Sequence, residues 1–403
     1  MNGNDYSIIK AANRTLILNT IAEFGPISVV DIMRKINLSR PTVEKLVQKL
    51  LHEGMIEKSG TARQSVSVGR SAQLYDVGSD RYFSIGIDFE VPKIRLTVIN
   101  LRMQTVYYTS WECDENKAVS KVISRLVSEI RLAINAICVH GKSDWQVIGI
   151  GIGICGQLDL LNKVSLHVER IDGWRNIRLA EILEREFDVP VSMRNDVHML
   201  AMVKKEERLR ANVRNYIYVS LRSGIGMALF INGELFTGTL GNAGFLGHTT
   251  VNYLGAPCRC GNFGCLETYL RPERLAAEYA SLTQNNISYE GLYEKFVQLD
   301  STAVAVMQEA FIVLGKAVAN VIKTIDIHNI VFNGLPDDHR GLILSWISEG
   351  IRATTIDVIY KNIHVEDESM PSEDAAKGGA MLMIREFFAD PKLFLSPEIP
   401  ALL

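Results

Sequence analysis

Three cysteines fall within eight positions, in Cys258-Arg-Cys260-Gly-Asn-Phe-Gly-Cys265, and His248 lies a short way upstream. Thiolates are soft ligands that suit zinc, and Gly261 and Gly264 give the backbone the freedom to turn until three sulfurs converge. A fourth ligand from His248 would close a tetrahedral shell with no open position, the arrangement of a structural Zn2+ rather than a hydrolytic one. The competing reading, buried free thiols beside a satisfied core histidine, suits a lone cysteine better than three at this spacing. With only 6 cysteines in 403 residues, a disulfide scaffold is excluded.

A second chemistry is suggested by charge. The chain carries −3 overall, yet residues 1–75 hold ten Lys and Arg against six Asp and Glu, so that part is +4 and the remainder −7. Only the N-terminal part suits a polyanion. Within it, the segment Ser39 to His52 buries Val43, Leu46, Val47 and Leu50 on one helical face and turns Arg40, Thr42 and Lys45 outward, with Pro41 accommodated in the first turn. Such a helix after a tight turn has the geometry of a recognition helix, whose first residues reach base edges in a major groove. Ser39, Arg40, Thr42 and Lys45 are therefore the candidate base or phosphate contacts.

Those residues need elements to hold them. Leu16, Ile17, Ile21 and Phe24 follow a helical period from Arg14 to Phe24, ended by Gly25-Pro26. Val29, Ile32, Met33 and Ile36 imply a second short helix that the turn around Asn37 ends. After Gly54, Met55 to Lys58 and Gln73 to Val77 read as a two-stranded wing, with Arg63 and Arg70 near its tip placed for a minor groove or for phosphates. Three amphipathic helices and a hairpin also fit a protein-interaction module; the agreement of helix lengths, turn, wing and charge favours DNA.

From Tyr82 the texture changes to short apolar strands and helices. Phe83 to Asp88, Ile94 to Asn100 and Met103 to Ser110 read as an antiparallel meander leading into a helix, Lys117 to Val139, and a similar cycle returns at Tyr216 to Leu221, Gly226 to Ile231 and Glu234 to Thr237, with a long helix at Ala303 to Ile325. Two similar lobes follow from that repetition. The longest apolar run, Val147 to Cys155, is far short of the ~20 residues of a membrane helix, and the N-terminus has no secretory pattern, so no membrane span is expected and the chain reads as cytoplasmic.

With these motifs in view, the sequence resembles the ROK family of sugar-responsive repressors and sugar kinases. Cys258, Cys260, Cys265 and Glu267 match its zinc signature, and Gly241-Asn-Ala-Gly244-Phe-Leu-Gly247-His248 partly matches its Gly-x-x-Gly-Glu-x-Gly-His motif. The resemblance implies an N-terminal winged helix-turn-helix (α+β), residues 1–80, followed by a bilobal α/β body of the actin-like, ribonuclease H-like class, with lobes at 81–195 and 196–403 and a C-terminal helix that returns to the first lobe. It also implies effector contacts at Gly156, Asn195, Asp196, Phe245, His248 and Glu267. In kinase members the aspartate at the position of Asp196 is the general base; here Asp196 also reads simply as the cap of a helix Val197 to Leu209.

Departures from the family pattern decide between its two activities. The phosphate loop, Asp-x-Gly-Gly-Thr-Lys in the family, is Asp88-Phe-Glu90-Val-Pro92-Lys93, so a repelling carboxylate, a bulky side chain and a residue without an amide donor replace the phosphate cradle. The later glycine segments survive only in part, as Arg222-Ser-Gly224-Ile-Gly226 and Asn333-Gly-Leu-Pro336. Phe245 replaces the motif glutamate, an aromatic face for a hydroxyl acceptor. The expectation is a non-enzymatic, carbohydrate-responsive repressor acting as a homodimer or tetramer on inverted-repeat operator DNA, Asp196 being a vestigial base; the alternative is an ATP-dependent sugar kinase with an appended DNA-binding domain.

Overall fold

In the computed structural model, which describes residues 3–62, 71–113, 118–138 and 145–389, the N-terminal part folds around one apolar cluster. Helix Gly3–Phe24 leads into the short strand Ile27–Ser28, then helices Val29–Ile36 and Arg40–His52. Ser28 caps the second helix by accepting from the amide of Asp31, while its hydroxyl donates to the Asp31 carboxylate, a reciprocal cap that fixes where the helix starts. Asn37 ends it in the left-handed conformation, its amide bonding Met33 O at 3.0 Å. The first helix begins well before Arg14; Ile17 and Ile21 are buried as expected, with Leu18 beside them, whereas Leu16 and Phe24, also expected inside, are 42% and 43% exposed.

The wing is antiparallel as expected, Ile56–Ala62 against Ala72–Val77, and Ile27–Ser28 adds a third strand on the far side of Ala72–Val77. Arg63 and Arg70 lie outside the described residues.

The chain divides into two compact units. The first takes in Met1–Cys155, Asn162–Leu200 and Glu373–Leu403, so the winged helix, the first lobe and the C-terminal helix belong together. Its five-stranded sheet runs Val191–Asn195, Gln146–Ile154, Tyr82–Phe89, Lys93–Asn100, Thr105–Glu112. The last three form the expected antiparallel meander, although Met103, assigned from sequence to a strand, sits in the turn with φ 60°. Gln146–Ile154 and Val191–Asn195 join in parallel, and Gln146–Ile154 is covered on both faces, which is why it reads as a continuous apolar run.

One covering element is the C-terminal helix Lys377–Ala389. A Cβ at Gly151 would collide with Gly379 O and one at Gly379 with Gly151 O, so glycine on both sides lets helix and sheet approach backbone to backbone, while Gly378 packs as closely on Met199 O of helix Asp196–Met202. At its far end Phe387 and Phe388 enter the same core as Ile17, Ile21, Leu50 and Val77. Thr15 Oγ1 donates to Phe388 O (3.0 Å), Tyr82 Oη to Glu53 O (2.8 Å), and Arg102 binds Val77 O, Glu57 and Asp76 at 2.9, 2.6 and 3.3 Å. The winged helix is thus docked on the first lobe.

The second unit, Gly156–Leu161 with Ala201–Ser372, carries a sheet ordered Glu234–Phe236, Ile225–Ile231, Tyr216–Leu221, Asn329–Asn333, His364–Asp367. It repeats the first sheet: an antiparallel meander extended by two parallel strands, beginning from the first strand of the meander. Helix Ser301–Ile325 is long and apolar enough to cross a bilayer, the one such helix among the described residues, and its face from Ala303 to Ile322 forms the core of this unit.

Candidate metal cluster, carbohydrate-side residues and DNA face

The cysteine loop is built by backbone hydrogen bonds that bring distant sulfurs together. Cys258 N bonds Asn262 O (2.7 Å), Gly261 N bonds Cys258 O (3.0 Å), and bridges pair Thr250 with Cys265 and Pro257 with Phe263. Gly264 is held at φ +62° with its α-carbon so close to Asn252 O that any Cβ would collide, so no other residue serves there. Cys260 Sγ lies 3.6 Å from Cys265 Sγ and Cys258 Sγ 3.7 Å from His248 Nδ1, all four ligand atoms falling within 4.8 Å of one another. Zn–S bonds of ~2.3 Å in a tetrahedron set sulfurs about 3.8 Å apart, so the donor set and spacing fit such an ion. Burial and the adjoining Cys260 and Cys258 sulfurs push the Cys265 thiol up to about 12, a proton that an arriving metal must displace.

His248 turns Nδ1 to the cysteines and Nε2 toward Glu267, whose Oε2 is 4.0 Å away. The Phe245 ring meets the imidazole edge-on at 6.0 Å between centroids. Phe245, His248 and Glu267 are therefore neighbours in the second unit, each half-buried, and Gly156, at φ +92°, belongs to the same unit. Asn195 and Asp196 belong to the first unit, at the junction of strand Val191–Asn195 with helix Asp196–Met202. Asn195 Oδ1 accepts from Val197 N (3.0 Å), so asparagine takes a capping role expected of Asp196. The long helix expected from Val197 to Leu209 is broken into Asp196–Met202 and Lys205–Arg210.

In the segment expected to be the altered phosphate loop, Asp88 and Glu90 are 2% and 5% exposed, and one guanidinium, Arg95, binds both at 2.8 Å. Such buried carboxylates require a cation, and the chain supplies its own from the adjacent strand. Nearby, burial and then the carboxylates of Asp196, Glu90 and Asp88 push the Cys155 thiol well up, keeping it protonated.

On the N-terminal helices, Ser39, Arg40 and Lys45 are exposed and Thr42 half-buried, while Val43, Leu46, Val47 and Leu50 are buried as expected. Ser39 Oγ and Thr42 Oγ1 share a hydrogen bond (2.8 Å), and Arg40 rests on Glu44 one turn away (2.8 Å). Sequence reasoning missed Arg102, Thr15 and Arg271: Thr15 and Arg102 bond carbonyls 373 and 25 residues away, and although Glu267 lies one helical turn before Arg271, nothing local announces that the same guanidinium lies 3.7 Å from Cys258 Sγ.

A winged helix docked on a body of two repeated lobes, with a cysteine-histidine cluster in the second, defines the regulator-type branch of the sugar-kinase fold. The ROK family model matches residues 84–386, and the chain belongs to the ROK family; the MarR family model matches residues 11–61. Over 403 residues the chain is 25% identical to the xylose repressor of Caldicellulosiruptor bescii, covering 96% of this chain and 99% of that one. A glucokinase of Halalkalibacterium halodurans is 27% identical over 323 residues, 76% of this chain and 96% of its own length. Among solved structures, a ROK family transcriptional regulator, a homologue of the Escherichia coli MLC protein, superposes with a TM-score of 0.80 at 22% identity, covering 96% of this chain and 98% of that one.

Proposed function

We propose that this protein is a sugar-responsive transcription repressor, with residues 1–80 binding operator DNA, the lobes at 81–195 and 196–403 sensing a carbohydrate, and a structural Zn2+ on His248, Cys258, Cys260 and Cys265. The observation that carries it is the exposed N-terminal end of helix Arg40–His52, with Ser39, Arg40 and Lys45 presented on a module that shares its core with a ROK body. The full-length match to a protein named a xylose repressor supports it. Two copies, as a homodimer or within a tetramer, place two such helices about one DNA turn apart on an inverted repeat, and that work sets the protein in the cytoplasm. Arg63 and Arg70 are proposed wing contacts.

The effector is a carbohydrate, with D-xylose first in any panel. Glu267 and His248 supply directional hydrogen bonds and Phe245 an apolar stacking face, with Gly156, Asn195 and Asp196 as further contacts. Binding to DNA from the protein's own promoter, followed by fluorescence anisotropy across a salt series, tests the reading: the account expects tight specific binding with a steep salt slope, and absence of specific binding would defeat it.

Kinase activity is absent in this reading, because Asp88 and Glu90 share the single Arg95 guanidinium, and the trio keeps a net negative charge that repels a phosphate. The alternative, a sugar kinase with a DNA-binding appendage, is kept by Asp196, which stands at the start of helix Asp196–Met202 where kinase members of the family carry the general base. Coupled ADP release over a sugar panel separates the two. Turnover lost in Asp196→Asn would establish the kinase.

A further inference from the structure

Arg271 stands where the metal cluster meets the carbohydrate-side carboxylate. One of its guanidinium nitrogens lies 3.7 Å from Cys258 Sγ and 3.4 Å from Glu267 Oε1. Glu267 Oε2, in turn, faces His248 Nε2 at 4.0 Å, and His248 Nδ1 faces Cys258 at 3.7 Å. Cys258, His248, Glu267 and Arg271 therefore close a ring.

The backbone fixes Arg271 in that ring. It sits between helices Glu267–Leu270 and Pro272–Thr283, extended at φ −63° and ψ 134° as the residue before a proline must be, and its carbonyl accepts from Leu275 N (3.1 Å). Its side chain is only 21% exposed. A guanidinium held this way loses little freedom when it binds, and the two hydrogens of one terminal nitrogen, fixed in the guanidinium plane, can point at the sulfur and the carboxylate together, which a lysine ammonium on a flexible stem does less reliably.

Charge gives the contact its purpose. Three thiolates and a neutral imidazole around Zn2+ leave a net −1, and Glu267 adds another negative charge beside it. Arg271 is the cation that touches both. We infer that Arg271 is a positioning residue that couples the metal to the effector carboxylate: it stabilises the anionic cluster through Cys258 and holds Glu267 in the orientation that His248 also sets. The inference rests on the zinc reading above. Groups just outside the ligand shell change metal affinity by about 10–100-fold when removed.

The test is zinc affinity of the full chain, measured by competition with a chromogenic chelator, for the wild type, Arg271→Met, Arg271→Lys, Glu267→Gln and the Arg271→Met/Glu267→Gln double variant. Arg271→Met is expected to bind zinc about 10–100-fold more weakly than the wild type while still saturating at the wild-type stoichiometry. Arg271→Lys, which keeps the charge but not the fixed plane and reach of the guanidinium, should also bind more weakly than the wild type, and it carries the test should the methionine variant not fold. The effect of Glu267→Gln should shrink in the Arg271→Met background, because the two groups act through one contact. Wild-type affinity in both Arg271 variants overturns the inference while leaving zinc in place. A wild type that binds no zinc overturns the zinc reading and the inference together.

Discussion

His248 presents its two ring nitrogens to different partners, the cysteines on one side and Glu267 on the other, so the proposed metal and carbohydrate roles meet in a single imidazole. Substitutions on each side should separate the two roles. Cys260→Ser is expected to drop bound zinc from about one equivalent to none, read by metal analysis of the purified protein, and to blunt the sugar response while the winged helix keeps its fold. Glu267→Gln should retain zinc and lose the effect of sugar on DNA binding, since it removes a charged acceptor of hydroxyl hydrogen bonds without opening the shell. On the DNA face, Lys45→Ala should weaken binding evenly across sequences and reduce the salt slope by about 1, the signature of a lost phosphate contact. Arg40→Ala should cost about 1–3 kcal/mol and relax specificity at one position if that side chain reads a base. Its ion pair with Glu44 is 67% and 48% exposed and therefore weak, so Arg40 can leave it for DNA at little cost.

Among the elements, the C-terminal helix connects the most distant parts of the first unit. It presses glycines onto Gly151 of the sheet and onto Met199 in the helix that Asp196 begins, and ends against the first helix of the DNA-binding module. Gly378→Val should unfold this contact and lower the thermal midpoint, because a side chain there meets Met199 O and overpacking of this kind costs about 1–3 kcal/mol or more. Arg102→Ala should leave global stability within about 1 kcal/mol, its partners being partly exposed, yet speed amide exchange in Ile56–Ala62 and Ala72–Val77. The helices, the meander and the cysteine loop were legible in sequence because each writes its own signal: periods in Val43 to Leu50, alternating apolar runs, and clustered thiols. Asn195 as the true cap, the break before Lys205 and the exposure of Leu16 were not, since adjacent positions compete for one local role and tertiary packing decides. Arg102 and Arg95 gave no sign because strand pairing and the docking of the wing, not helical spacing, bring their carboxylates to them, and the i,i+4 spacing of Glu267 and Arg271 said nothing of the contact to Cys258.

For the whole molecule, the shared core of winged helix, first lobe and C-terminal helix means that a ligand acting on Asn195 or Asp196 acts on the same body that holds the recognition helix. Such a body needs no flexible tether to transmit a signal; it needs only that the carbohydrate bind two conformations with different affinity, and a coupling of about 1–3 kcal/mol changes DNA affinity about 5–150-fold. The repeated strand order in the two units supplies the scaffold on which family members place kinase or regulatory chemistry, and the two buried carboxylates that share one guanidinium, Asp88 and Glu90 on Arg95, are a ground for the proposed regulatory role. The most direct measurement is anisotropy of labelled promoter DNA with the full chain at fixed salt, titrated with D-xylose and then with other mono- and oligosaccharides. The account predicts specific binding that one carbohydrate weakens at least fivefold and that Glu267→Gln makes insensitive to it. Specific binding unmoved by every sugar, or no specific binding at all, would contradict it.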